Sequence, residues 1–225
     1  METIILIRHG EGEHMISDLT GGWSQVALTE NGRDQARAIA SRLKRDLKGV
    51  DYAFYCSDLK RAHQTAEIIA EEVGREMIPF QELREFNNGV AANRKKAEVK
   101  HLYRSPSDPI MDWQPYPEAE TWRKFYRRIK AFMDKINSIE DRPTLIVSHG
   151  GTIVNIIAWW LRIEETNLSF TTFHSSAASL SVLDETQFNE RRVERLNDTA
   201  HLHSLGQVPR LPIETNILPL PEGQV

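Results

Sequence analysis

Two apolar runs far apart in the chain each end on a histidine. Thr3-Ile4-Ile5-Leu6-Ile7 leads into Arg8-His9-Gly10-Glu11, and Pro143-Thr144-Leu145-Ile146-Val147 leads into Ser148-His149-Gly150-Gly151. Unbroken β-branched and leucine runs of this length read as strands buried on both faces, as in a parallel sheet covered by helices. In open sheets of that kind, ligands bind outside the carboxyl ends of the strands. The pattern therefore predicts two imidazoles and an arginine meeting at one crevice. That combination suits an anion, above all a phosphate.

Strand and helix patterns alternate through most of the remaining sequence. A helix is expected from Thr29, a suitable N-cap, with Ala36, Ile39, Ala40, Leu43 and Leu47 at helical spacing. A strand over 52–56, a second helix from about Asp58 closed by Gly74, and a short strand over 76–79 follow. Between Leu83 and Tyr116 the rhythm breaks at Asn87-Asn88-Gly89 and several prolines, with too little apolar content for a separate core. A long amphipathic helix is predicted over 117–139, its stripe of Trp122, Phe125, Tyr126 and Phe132 serving as core. Residues 152–161 read as a helix buried all round, and strands over 177–183 and 191–196 as an antiparallel hairpin. The fold class expected is α/β: a three-layer sandwich with a mostly parallel sheet and an antiparallel edge. One domain over 1–205, with a cap excursion at about 83–116, precedes a proline-containing tail over 206–225.

Composition narrows the partners. A formal net charge of -4 over 225 residues gives no electrostatic case for nucleic acid or an anionic membrane. The longest apolar stretch, Ile153 to Leu161, falls far short of the ~20 residues that span a bilayer. The single cysteine, Cys56, excludes an intrachain disulfide and lies in an apolar run, as a buried structural thiol does. The expectation is a cytoplasmic protein acting on a small phosphorylated molecule, with oligomeric state not legible.

Arg8 is a permanently charged five-donor fork, costly at a strand end unless an anion is near. Gly10 permits close backbone approach, so its N–H is expected to join the anion site. A neutral imidazole at His9, held through one nitrogen by a backbone carbonyl, would present the other as a nucleophile. Cys56-Ser57-Asp58-Leu59-Lys60-Arg61 runs from a strand end into a helix N-terminus, placing Arg61 where it can return to the same crevice. His63 is expected to face outward. His174 is placed beside the pocket, and His201 with His203 lack the further ligands a metal needs, so no metal and no cofactor are expected.

The pieces LIRHGEGE, SDLKRAHQTA, LREFNNG and VSHGG, in this order, resemble the histidine phosphatase superfamily and its phosphoglycerate mutase-like members. The resemblance spans roughly residues 3 to 200 and implies the fold expected above. It also implies that His9 takes the phosphoryl group while Arg8, Arg61 and His149 hold its oxygens, together with the backbone at Gly10 and Gly150. By the same resemblance Glu85 is the proton donor to the departing alkoxide, favoured over Glu82 by its spacing to Gly89.

Some positions depart from the family pattern. A threonine or serine and an asparagine are usual where this chain has Gly12 and Met15, and an aspartate where it has Gln25. Glu120 is retained before the long helix. His14 offers a replacement donor or a solvent-exposed loop side chain. The arginine- and tyrosine-rich insertion of cofactor-dependent mutases is not visible. The function implied is therefore a metal-independent phosphomonoesterase. A phosphoglycerate mutase and a non-catalytic phospho-ligand binder stand as alternatives.

Overall fold

The computed structural model describes residues 2–207; most of the proline tail lies outside the described residues. The chain runs β1 (Thr3–Arg8), α1 (Glu13–Ile16), α2 (Glu30–Asp46), β2 (Ala53–Ser57), α3 (Lys60–Val73), β3 (Ile78–Phe80) and α4 (Lys96–Val99). It continues with α5 (Trp122–Ile139), β4 (Thr144–Ser148), α6 (Gly150–Trp160), β5 (Leu180–Glu185) and β6 (Arg191–Asp198). Short 3-10 turns carry much of the chain between β3 and α5.

The six strands form one sheet in the order β3-β2-β4-β1-β5-β6. β1, β2, β3 and β4 are mutually parallel, while β5 and β6 add the antiparallel edge. Alternation along the two histidine-bearing strands explains the layers. Ile4, Leu6 and Ile146 turn to one face, against Phe125, Ile129 and Met133 of α5 and Ile153 and Ile157 of α6. Ile5, Ile7, Leu145 and Val147 turn to the other, against Ile39 and Leu43 of α2 and Ala62 and Ile69 of α3. Both faces are thus dry, as continuous apolar runs require. Cys56 belongs to the second layer, its thiol fully buried and its pKa pushed up to about 12, first by desolvation.

Local signals set most element ends. Thr29 caps α2 by accepting from Gly32 N at 2.9 Å, and Gly74 closes α3 at a positive φ of 67° that glycine adopts freely. The long helix starts at Trp122, where its apolar stripe begins, and not at the expected residue 117. Glu118 takes φ 61°, outside the helical region, and Thr121 is the true cap, accepting from Lys124 N at 3.2 Å. The terminal hairpin is shifted toward the C-terminus, because Ala178 takes φ 53° and residues before Leu180 form a loop. No helix of the described residues is long and apolar enough to cross a membrane.

Candidate active site

Register brings the two histidines together. Arg8 of β1 pairs with Ser148 of β4, so His9 and His149 leave adjacent parallel strands side by side at their carboxyl ends. Their ring centroids lie 5.1 Å apart, and the His14 ring is 6.0 Å from that of His9. His9 and His149 are buried, with His9 only 2% exposed.

His9 Nδ1 lies 2.7 Å from the carbonyl of Gly10, which fixes the proton on that nitrogen. Nε2 is left with its lone pair and accepts from Arg61 Nε at 3.2 Å. Burial, then the charges of Arg61 and Arg8, hold the His9 pKa well below its usual value, so the imidazole is neutral at pH 7. His149 is neutral for similar reasons: burial first, then Arg61. Its Nε2 lies 2.8 Å from Ser57 Oγ, and that hydroxyl oxygen accepts from Leu59 N at 3.3 Å. With its oxygen accepting from Leu59 N, Ser57 has its proton free to donate to His149 Nε2, and in that arrangement the imidazole proton sits on Nδ1.

Arg61 enters from the first turn of α3. Its Nη1 donates to Ser24 O and its Nη2 to Gly22 O, each at 3.0 Å, so the fork is fixed before any ligand arrives. Arg8 donates from Nη1 to Ser175 O. Neither guanidinium forms an ion pair with a carboxylate among the described residues, although Arg61 is 1% exposed. Burial lowers the Arg61 pKa to about 10, which still leaves it charged. Removing such charges from water costs several kcal/mol each without a counter-charge. Four buried side-chain polar atoms lack a hydrogen-bond partner among the described residues, and three are nitrogens of this cluster: Arg8 Nε, His14 Nδ1 and His149 Nδ1. A cluster rich in positive charge and unused nitrogens has the chemistry that an oxyanion requires.

Glu85 faces the same cluster. Its carboxylate accepts from Phe86 N at 2.8 Å and from Gly151 N at 3.0 Å, and its charge raises the pKa of both Arg8 and Arg61. The loop carrying it is gripped from behind by Arg128 of α5, which donates to the carbonyls of Glu82, Arg84 and Glu85. Glu120 completes this brace, pairing with Arg128 at 2.8 Å and accepting from Asn87 N at 2.9 Å. Glu82 is exposed and takes no part through its carboxylate.

Gly10 behaves differently from the expectation. Its N–H donates to Thr65 Oγ1 at 3.1 Å and so does not face an anion. Its lack of a side chain serves packing instead, since a Cβ there would stand 2.4 Å from the carbonyl oxygen of Gly32. Gly150 opens α6 close to Arg8, with 3.6 Å between the position of an added Cβ and Arg8 Cζ.

The unusual positions are accommodated. Gln25 Oε1 accepts from Lys60 N at 3.0 Å, capping an α3 whose own N-cap, Leu59, has no capping side chain. Met15 offers only its sulfur, 3.5 Å from Gly12 N. His14 is half-buried, between Gly12 and Gly21: a Cβ on Gly12 would lie 2.9 Å from its ring and one on Gly21 3.1 Å. The missing side chain at position 12 is therefore what admits the third imidazole. Burial, then Arg61 and Arg8, lower the His14 pKa to about 4. His63 faces Glu67 at 3.3 Å on the outer side of α3, and His201 Nε2 is 2.8 Å from Ala178 O. Ser57, Thr65 and Arg128 escaped the sequence reading, because nothing in their local spacing shows which distant group each one holds.

Fold and site together define an α/β protein with two buried strand-end histidines and two arginines gathered at one edge of a mostly parallel sheet. The profile of the histidine phosphatase superfamily (branch 1) matches residues 4–199, and the chain belongs to that superfamily. It is 34% identical over 164 residues to the "probable phosphoglycerate mutase GpmB" of Erwinia tasmaniensis, covering 70% of this chain and 75% of the relative. It is 29% identical over 177 residues to the "putative phosphoserine phosphatase 2" of Hydrogenobacter thermophilus, covering 75% and 83%. Among solved structures, a mycobacterial glucosyl-3-phosphoglycerate phosphatase in complex with inorganic phosphate superposes with a TM-score of 0.72 at 23% identity, covering 89% of this chain and 99% of that one. At that identity the likeness shows the fold, a mixed sheet between helical layers.

Proposed function

We propose that this chain hydrolyses phosphate monoesters of small molecules through a phosphoryl group carried on His9. The observation that carries the reading is the neutral His9 Nε2 lone pair, set among two arginines that form no ion pair among the described residues. The Nε2 lone pair attacks phosphorus as the ester P–O bond breaks. Arg8, Arg61 and the Nδ1–H of His149 bind the three non-bridging oxygens. Glu85, receiving a proton from the monoanionic form of the ester as it binds, gives that proton to the leaving alkoxide oxygen. Glu85, now a carboxylate, removes a proton from water, which attacks phosphorus as the P–N bond breaks, returning neutral His9 and free phosphate. The buried position of the one thiol, Cys56, fits a cytoplasmic setting.

The test is turnover of p-nitrophenyl phosphate with a chelator present, together with acid-quenched mass spectrometry of the protein. Activity should survive chelation, and an acid-labile phosphate should map to His9. His9→Ala should lower turnover by about 10³-fold or more. Activity retained in His9→Ala, or abolished by the chelator, would sink the reading. The relative named as a phosphoglycerate mutase favours transfer between glycerate positions as the second reading. Stimulation of such transfer by bisphosphoglycerate, above the rate of phosphate release, would install it instead.

A further inference from the structure

We infer that the ester's leaving group is an uncharged alcohol with an apolar body, an inference that rests on the hydrolytic reading above. A cavity of about 480 Å³ begins at Arg8, Gly150 and Gly151 and extends away from the His9 cluster. That volume suits a small organic group rather than a protein segment. Its position follows from the chemistry. Glu85 accepts from the amide of Gly151, so the carboxyl that must reach the leaving oxygen stands at the mouth of this cavity. The alcohol portion of a bound ester therefore occupies it.

The walls state what that portion is. Ile110, Met111, Trp122, Val154, Leu168 and Phe173 supply apolar surface from the segment before α5, from both helices and from the loop after α6. Among the described residues, no aspartate or glutamate lines the cavity, and Arg8 is its only arginine or lysine. Arg8 is committed to the phosphoryl group. Among the described residues, a second carboxylate or phosphate on the substrate would find no lysine or arginine of its own, and an ammonium beyond the mouth, where Glu85 stands, would find no carboxylate. The basic run Arg94-Lys95-Lys96 is not part of the cavity lining: it is exposed, Arg94 pairs with Glu98 at 3.3 Å, and Lys96, which lies toward His14, faces Asp18 at 3.8 Å. His174 at the rim stands 3.3 Å from the Ser176 hydroxyl. Asn155 and the hydroxyls of Thr171 and Thr172 leave room for one or two neutral polar groups on an otherwise apolar body. Charged leaving groups would have to shed water here without a partner, which is how a site rejects them.

The experiment compares benzyl phosphate, phosphoserine and 3-phosphoglycerate, three primary or near-primary alkyl esters whose intrinsic reactivity is similar. kcat/KM for benzyl phosphate should exceed that for either charged ester by about ten-fold or more. Equal or higher values for phosphoserine or 3-phosphoglycerate overturn the inference while leaving hydrolysis intact. Failure to cleave any of the three or p-nitrophenyl phosphate removes the hydrolytic reading, and this inference with it. Val154→Arg and Leu168→Arg, on separate elements, each place a cation in the cavity. Both should shift the ratio of 3-phosphoglycerate to benzyl phosphate turnover upward by about ten-fold, a ratio that the fraction of folded protein does not affect. An unchanged ratio in both variants counts against the assignment.

Discussion

Ser57 Oγ, at the end of β2, stands 2.8 Å from His149 Nε2, and Leu59 N donates to the same oxygen. That hydroxyl keeps its own proton to give to the imidazole. This arrangement selects the tautomer in which His149 Nδ1 carries a proton for an incoming oxyanion. Ser57→Ala should free the ring to exchange tautomers and lower kcat about ten-fold, with a smaller change in KM. Nitrogen NMR of the variant should show His149 losing its preference for the Nδ1–H form. An unchanged tautomer and unchanged kcat would deny Ser57 this positioning role.

Arg8 trades stability for binding. It forms no ion pair among the described residues, and burial lowers its pKa against the opposing charge of Glu85. Arg8→Met should leave Tm unchanged or raise it slightly while reducing kcat/KM by about 10²-fold or more. Inorganic phosphate should raise the Tm of the unmodified protein and have little effect on the variant, because only the former binds it tightly. Thermal melts with and without phosphate decide the matter; a large drop in Tm for Arg8→Met would show the arginine to be structural.

Gly12 makes room for His14. Since a Cβ at position 12 would come within 2.9 Å of the imidazole, Gly12→Ala should push His14 out of the site. Losing one neutral donor to the phosphate is worth about 1 kcal/mol, or roughly five-fold in KM. His14→Ala should give the same increase, and the double variant no more than either alone. Additive effects in that cycle would mean that the two positions act separately.

Acid should destabilise the fold before its carboxylates titrate. His9, His14 and His149 all have folded pKa values below the usual histidine value, that of His14 being about 4. Below the unfolded value of about 6.5, the unfolded chain takes up protons that the folded chain refuses. The stability these neutral imidazoles contribute is therefore full above that pH and declines as pH falls toward the folded values. Tm measured between pH 6.5 and 4.5 should drop steadily, and less steeply in His14→Asn. A flat Tm across that window would contradict the assignment of neutral histidines.

The local sequence already contained the layers and the principal players. Apolar runs without alternation dictated strands buried on both faces, and helical spacing in α2, α3 and α5 dictated what would cover them. His9 and His149 were legible because each follows such a strand, and Arg61 because it follows the next one. Thr29 and Gly74 announced helix ends through chemistry confined to a few residues. The expected helix begins five residues before α5, because nothing local in 117–121 announces that the Glu118 backbone leaves the helical region. Tertiary structure alone decided the second rank of the site. That Ser57 sets the proton of His149, that Arg128 grips the loop of Glu85, that Thr65 rather than an anion takes the Gly10 amide, and that His14 lies between two glycines all depend on segments distant in sequence. Periodicity and caps act over a few residues and are written locally. Hydrogen-bond partners and the charge lining a cavity arise only when the packed sheet brings distant loops to one edge.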